Sequence, residues 1–246
     1  MKAMIFAAGV GSRLAPLTDN CPKALIEVGG KPMLEHVITK LKGAGISRMV
    51  VNIHHHAAMI RDFLEAKENF GIEISLSDES DHLLDTGGGV AKAAPLLLNG
   101  TDEPILLHNA DILTDFPLGP MIRQHESTGA DATLLVSPQR QSSRVLLFDN
   151  DQLTGWRNNN TGEVKSPYAD TSGSIPMAFG GVHIISPRIV TDLVKAAEQK
   201  TVFSITPYYY TNCDRLDIRA HIPASSYRWA DIGRPETLAR ARREWA

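Results

Sequence analysis

The chain has 246 residues, a formal net charge of −3, and 43% hydrophobic against 22% charged residues, a profile that fits a globular protein with a sizeable core. That balance excludes a general electrostatic footprint for nucleic acid, so any phosphate site has to be built locally. Cys21 and Cys213, the two cysteines, lack C-x-x-C spacing; this argues against a disulfide framework or zinc site and for reduced thiols in a cytoplasmic protein.

Met4 to Ala8 reads as a buried strand. Gly9, Gly11 and Arg13 break the apolar run too early for a signal peptide. Met33, Leu34, Val37, Ile38 and Leu41 have helical spacing, stopped by Gly43 and Gly45. Met49 to Ile53 is a second strand, and Met59, Ile60, Phe63 and Leu64 mark a second helix. Ile72, Ile74 and Leu76 alternate as a strand, Val90 to Leu98 reads as a helix, and Ile105 to Asn109 is a very apolar strand. This β-α-β-α order predicts an α/β fold with a doubly wound, largely parallel mixed sheet. Ala132 to Val136, Val145 to Phe148, Phe179 to Ile185 and Ile218 to Ile222 read as further strands, and Arg188 to Gln199 as a helix. The polar stretch from Asn158 to Ser174 reads as a mobile loop. With no repeat and no linker, the simplest reading is one domain over 1–246. No stretch approaches the roughly 20 apolar residues of a membrane-spanning helix.

The segment after the first strand is Ala7-Ala8-Gly9-Val10-Gly11-Ser12-Arg13-Leu14, then Pro16-Leu17-Thr18 and Pro22-Lys23. In a doubly wound sheet this is the ligand-binding edge. Glycines let the backbone approach a phosphate chain. Leu14 stands where a dinucleotide fingerprint needs its third glycine, and the Gly-Lys-Ser/Thr of a Walker loop is absent. What remains is a loop followed by two cations, Arg13 and Lys23, able to neutralise a triphosphate. A strand-to-helix turn with two solvated basic residues has the same pattern.

A-A-G-x-G-x-R-L-x-P-L-T followed by P-K resembles the signature of the sugar-phosphate nucleotidyltransferases. The resemblance implies that the loop, through Gly9 and Gly11, wraps a nucleotide, that Ala8 packs near its base, and that Arg13 and Lys23 contact phosphates. A second cluster, Leu84-Asp85-Thr86-Gly87-Gly88-Gly89, precedes a helix, whose N-terminal N–H groups have no partner within the helix. It is similar to the family's base- and ribose-recognising segment, which points to Thr86, Gly87 and Gly88. Its wording is similar to that of N-acetylmuramate 1-phosphate uridylyltransferases and tilts the nucleotide towards UTP. The guanylyltransferase relatives more often show L-G-T-A-G, so a mannose- or heptose-1-phosphate guanylyltransferase is the alternative.

His108-Asn109-Ala110-Asp111 ends the apolar strand at the same edge, and Trp229-Ala230-Asp231-Ile232-Gly233 lies far along the chain. The first resembles the family's N/G-x-D and the second its W-x-D-I/V-G-T, with Arg234 where Thr is usual. The resemblance assigns Asp111 and Asp231 to Mg²⁺, a hard cation content with one or two carboxylates plus phosphate oxygens, and Asn109 to the nucleotide. Phe179-Gly180-Gly181-Val182 looks like the strand that lines the sugar pocket, through Gly180 and Gly181. The family's E-K-P segment, whose Lys meets the sugar phosphate, has no counterpart; Glu163-Val164-Lys165 is spaced differently.

The implied reaction joins an NTP to a sugar 1-phosphate and releases pyrophosphate. It divides the chain into a nucleotide half, about 1–115, and a sugar half, about 116–246. The expected partners are these two substrates, with no nucleic acid and no membrane, in a monomer or small homo-oligomer. A non-catalytic nucleotide-binding regulator should have lost one of Arg13, Lys23, Asp111 or Asp231, and all four are present. A phosphocholine cytidylyltransferase would need an aromatic cage, which the consecutive Tyr208, Tyr209 and Tyr210 do not form if extended.

Overall fold

A computed structural model describes residues 1–100 and 102–245. The first half runs β1 (Lys2–Phe6), β2 (Glu27–Val28), β3 (Lys31–Pro32), α1 (Met33–Gly43), β4 (Arg48–Ile53), α2 (Ala57–Ala66), β5 (Glu73–Asp78), α3 (Asp85–Leu97), β6 (Ile105–Asn109), β7 (Ile112–Thr114) and α4 (Leu118–Thr128). The second half runs β8 (Ala132–Ser137), β9 (Arg144–Asp149), β10 (Gln152–Asn158), β11 (Val164–Lys165), β12 (Ile175–Ile185), α5 (Pro187–Gln199), α6 (Ile205–Thr211), β13 (Ile218–His221), β14 (Trp229–Asp231) and α7 (Pro235–Glu244).

One ten-stranded sheet takes strands from both halves in the order β11-β10-β13-β8-β12-β6-β1-β4-β5, with β9 against β10 and β12. The α/β class and mixed sheet are as the sequence implies, but "largely parallel" holds only for the first half. There β5, β4, β1 and β6 form a continuous parallel block. Beyond it β12 runs antiparallel to β6, β8 and β9, and β8–β13 is the remaining parallel ladder. The cause is the connections: hairpins such as β9–β10 need no crossover helix, whereas parallel neighbours do.

Alternation along β1 assigns the two faces. Met4 joins the core under α3, α5 and α6, with Val90, Leu97, Leu193 and Tyr209. Ala3 and Ile5 join the core under α1, α2 and α4, with Leu34, Ile38, Ile60 and Met121. With both faces covered, the central strands read as continuous apolar runs. A third, smaller cluster joins Leu14 of the glycine loop to Val28, Met33, Leu113, Ile232 and Leu238. It fastens the C-terminal segment to the N-terminal loop.

Three local expectations change. The stretch from Asn158 to Ser174 is partly ordered by a hairpin, with Trp156 opposite Lys165 and the Ser166 hydroxyl donating to the Thr154 carbonyl at 2.6 Å. The tyrosines 208–210 lie on helix α6 rather than an extended segment, and Tyr209 is fully buried. The third helix begins at Asp85 rather than near Val90, so the second glycine cluster lies inside it.

Two core histidines make stability pH-dependent. Burial pushes His108 from its ordinary 6.5 down to about 4 and His183 down to about 3. The Tyr209 hydroxyl lies 3.2 Å from His183 Nδ1. Below pH 6.5 the unfolded chain binds protons that these folded imidazoles refuse, so stability falls as pH drops from 6.5 towards 4 and 3. The slope is about 1.4 kcal/mol per pH unit for each histidine at its steepest. Urea midpoints at pH 7, 6 and 5 should fall in that order. His108→Leu should flatten the slope by removing one titration; an unchanged slope would remove His108 from this account.

Candidate active site

Four parallel strands end at one edge of the sheet, and each delivers polar groups there. From β1 come Ala7, Ala8 and Gly9, and from β4 Asn52. Glu79 follows β5, Asn109 ends β6, and Ala110 and Asp111 follow it. All of these line a cavity of about 390 Å³ together with Lys23, Asp85 and Thr86. Gly9 has open space where a Cβ would stand. Gly11 has φ +72°, and a Cβ there would lie 2.9 Å from Thr18 and 3.0 Å from Lys23. Only glycine turns the loop so tightly against the lysine stem. The Thr18 hydroxyl donates to the Gly11 carbonyl at 3.0 Å and closes the loop.

Beneath the loop is a buried polar relay. Asn52 Oδ1 accepts the N–H of Ala7 at 2.7 Å and of Ala8 at 3.3 Å. Asn52 Nδ2 donates to Glu79 Oε1 at 2.7 Å, and Glu79 Oε2 accepts the Leu84 N–H at 3.1 Å. Glu79 is completely buried. A Cβ on Gly89 would stand 2.9 Å from Glu79 Oε1, so that glycine makes room for the relay. Sequence reasoning passed over Asn52, although a single polar residue in the run Met49 to Ile53 was a usable signal.

Gly87 and Gly88 require correction. Their N–H groups do not face the cavity: both point at the Phe203 carbonyl, at 2.9 and 3.2 Å. A Cβ on Gly87 would stand 2.4 Å from the Phe203 ring, and one on Gly88 2.1 Å from the Thr201 carbonyl. These glycines allow the segment 201–203 to pack on the start of α3 and bring Val202 to the cavity wall. Their side-chain-free surface is covered by protein rather than open to a flat ring. Thr86 does line the cavity, and its hydroxyl accepts the Ile205 N–H at 2.9 Å.

The two aspartates, about 120 residues apart in sequence, meet through a small ladder. β14 runs antiparallel to β7 with Asp231 opposite Ile112, and the Ile232 N–H donates to the Asp111 carbonyl at 3.0 Å. Lys23 Nζ is ion-paired with Asp111 Oδ2. Asp231 Oδ1 accepts the Gly233 N–H at 2.6 Å. A Cβ on Gly233 would lie 2.8 Å from Asp231 Oδ1 and 3.1 Å from both Arg13 Nη2 and Lys23 Nζ. All four charged residues singled out from the sequence therefore converge within a few ångströms of one glycine.

A second, wider cavity of about 840 Å³ adjoins the first at Asn109, which lines both. Gly181, with φ +72°, passes close to Asn109 and lines this second cavity, as does Asp231. Gly180 instead packs against Leu135 and turns its carbonyl to Trp229 Nε1 at 3.0 Å. Arg140, on which sequence reasoning was silent, enters the cavity with its guanidinium 3.9 Å over the Trp229 ring. Burial pushes its pKa down, with Tyr227 and Asp231 opposing; it remains a cation. Two cavities that meet where carboxylates and cations converge suit transfer between two phosphate-bearing substrates.

The family model for nucleotidyl transferases matches residues 2–151. The chain is 33% identical over 199 residues to the N-acetylmuramate alpha-1-phosphate uridylyltransferase of Caulobacter vibrioides, covering 77% of each chain. It is 34% identical over 194 residues to the enzyme of that name from Neisseria meningitidis, again covering 77% of each. The probable mannose-1-phosphate guanylyltransferase 1 of Oryza sativa subsp. japonica is 36% identical over 210 residues, 82% of this chain and 55% of that protein. In fold, the chain is similar over its whole length to a putative glucose-1-phosphate thymidylyltransferase from Bacillus anthracis, with a TM-score of 0.79 at 20% identity and 95% of that chain covered. The chain belongs to the sugar-phosphate nucleotidyltransferase family. It is a sugar-1-phosphate nucleotidyltransferase.

Proposed function

We propose that the chain joins UTP to N-acetylmuramate 1-phosphate, with Mg²⁺, and releases pyrophosphate. The observation that carries the chemistry is the convergence of Lys23, Arg13, Asp111 and Asp231 where the two cavities meet. An oxygen of the acceptor phosphate attacks the α-phosphorus of the nucleotide, and the bond to the β-phosphate breaks. The attacking oxygen is already anionic, so no protein base is needed. Lys23 and Arg13 oppose the charge that develops on the phosphates. The carboxylates of Asp111 and Asp231 fit a hard divalent cation whose other ligands are water and phosphate oxygens. Bound there, Mg²⁺ would supply charge neutralisation and alignment of those oxygens.

Two features support uridine and an amino-sugar acid. The uridylyltransferase relatives match over most of both chains, and the wording of Leu84 to Gly89 resembles that of such enzymes. A pyrophosphate-release panel of four NTPs against N-acetylmuramate 1-phosphate, mannose 1-phosphate and glucose 1-phosphate tests the reading. UTP with N-acetylmuramate 1-phosphate should give the highest kcat/KM; preference for GTP with mannose 1-phosphate would replace it with the guanylyltransferase alternative.

A further inference from the structure

On the function proposed above, the acceptor brings a phosphate into the second cavity, where, among the described residues, no lysine lines the wall. Lys165 does not supply one: its Nζ lies 3.3 Å from Glu163 Oε1 and 5.5 Å from the Trp156 ring, in a different cavity from Asp231. Four arginines do line the Asp231 cavity. Arg228 is committed to Asp115 at 2.7 Å and to the Glu244 carbonyl at 2.9 Å. Arg240 approaches Glu244 at 3.9 Å, and Arg234 is exposed.

Arg140 differs from all three. Its guanidinium carbon sits 3.9 Å from the centre of the Trp229 ring, and Nη2 donates to the Ala178 carbonyl at 2.8 Å. Trp229 is itself held by the Gly180 carbonyl. Among the described residues, no carboxylate oxygen lies within 4.0 Å of it. A guanidinium has five donors in a fork that matches phosphate, and the ring contact does not use the donors that Ala178 and Tyr227 leave over. It is also held rigid in advance, so little rotamer freedom is lost when it binds an anion.

We propose that Arg140 is the cation that grips the phosphate of the sugar 1-phosphate. This rests on the reading of the second cavity as the acceptor side. A guanidinium in electrostatic reach of Asp231 holds the acceptor phosphate beside the carboxylates and against the Asn109 junction, where the nucleotide cavity begins. The position comes from tertiary structure: Arg140 sits in the β8–β9 connection, and its contacts come from β12 and β14.

The test uses the whole chain with Mg²⁺ and the best substrate pair from the panel. Arg140→Met keeps an apolar stem over Trp229 and removes the fork. The KM for the sugar 1-phosphate should rise roughly 10- to 100-fold, with the KM for the NTP within twofold. Arg140→Lys should recover part of the loss. Inorganic phosphate should compete with the sugar 1-phosphate in the parent and lose that competition in Arg140→Met. Calorimetric NTP binding should match the parent in both variants, which shows the nucleotide side is intact. A sugar-phosphate KM within threefold of the parent in both variants overturns the proposal. So does an equal rise in both KM values, the mark of a merely structural arginine. If the parent turns over no pair in the panel, the functional reading itself fails and takes this assignment with it.

Discussion

Asp111→Asn is expected to lower kcat/KM for pyrophosphate release by on the order of 10³-fold or more while lowering the urea midpoint only modestly. The substitution preserves volume and removes one negative charge. In the folded protein that charge pairs with Lys23, and both side chains are mostly buried; the asparagine oxygen can still accept from Lys23, so the loss is about 1–2 kcal/mol, between that of an exposed and of a fully buried pair. In the reaction the same carboxylate would hold a divalent cation against the triphosphate, and no neighbouring group replaces it. Asp231→Asn should lose a comparable factor. If both carboxylates serve one cation, the double variant should lose little more than the worse single variant, because groups acting as a unit are not additive. Turnover of Asp111→Asn within tenfold of the parent would remove Asp111 from the machinery.

The second large effect is expected beneath the site rather than in it. Asn52→Ala removes the acceptor for the Ala7 and Ala8 N–H groups and the donor to buried Glu79. Each buried group left unpaired costs about 1–3 kcal/mol. Water entering from the adjoining cavity offsets part of this, so a loss of about 3–5 kcal/mol is expected from the three groups together. The Gly9 loop is thereby released, and a displacement of about 1 Å there lowers kcat/KM by on the order of 10²-fold. Glu79→Gln is the sharper probe. Both of its protein partners, Asn52 Nδ2 and the Leu84 N–H, are donors. A glutamine has one accepting end, so a donor must face a donor at the other, at a cost of about 1–3 kcal/mol. Chemical denaturation of the two variants checks both figures; a Glu79→Gln variant as stable as the parent would mean the relay is not made of these bonds.

Much of the site was legible because its residues lie at strand ends. The alternation of short apolar runs and helical spacing places Ala8, Gly9, Asn109 and Asp111 at one sheet edge, since parallel strands all end on the same side. Lys23 and Asp231 were legible through motif wording, not periodicity. The glycines at 87 and 88 misled because a glycine's role depends on what approaches it. Here the approaching group is the segment 201–203, more than 110 residues away, and no local pattern announces it. Arg140 was invisible for the same reason, as its position is set by Trp229 and Ala178 from distant strands.

The fold class, the nucleotide-side loop with its two cations, and the two aspartates as candidates were readable before any packing was known. The fold class follows from local spacing, and the loop, its cations and the aspartates from motif wording that resembles the family's. Tertiary structure alone decided that the second half of the sheet runs mainly antiparallel. It also decided that Asn52 and Glu79 carry the loop, that the Gly87 and Gly88 N–H groups of α3 go to Phe203, and that Asp231 returns to Asp111. That return depends on burying Leu14, Leu113, Ile232 and Leu238 in one small cluster. Burial of apolar surface has no direction in sequence, so which distant segments share a cluster is settled only when the chain packs.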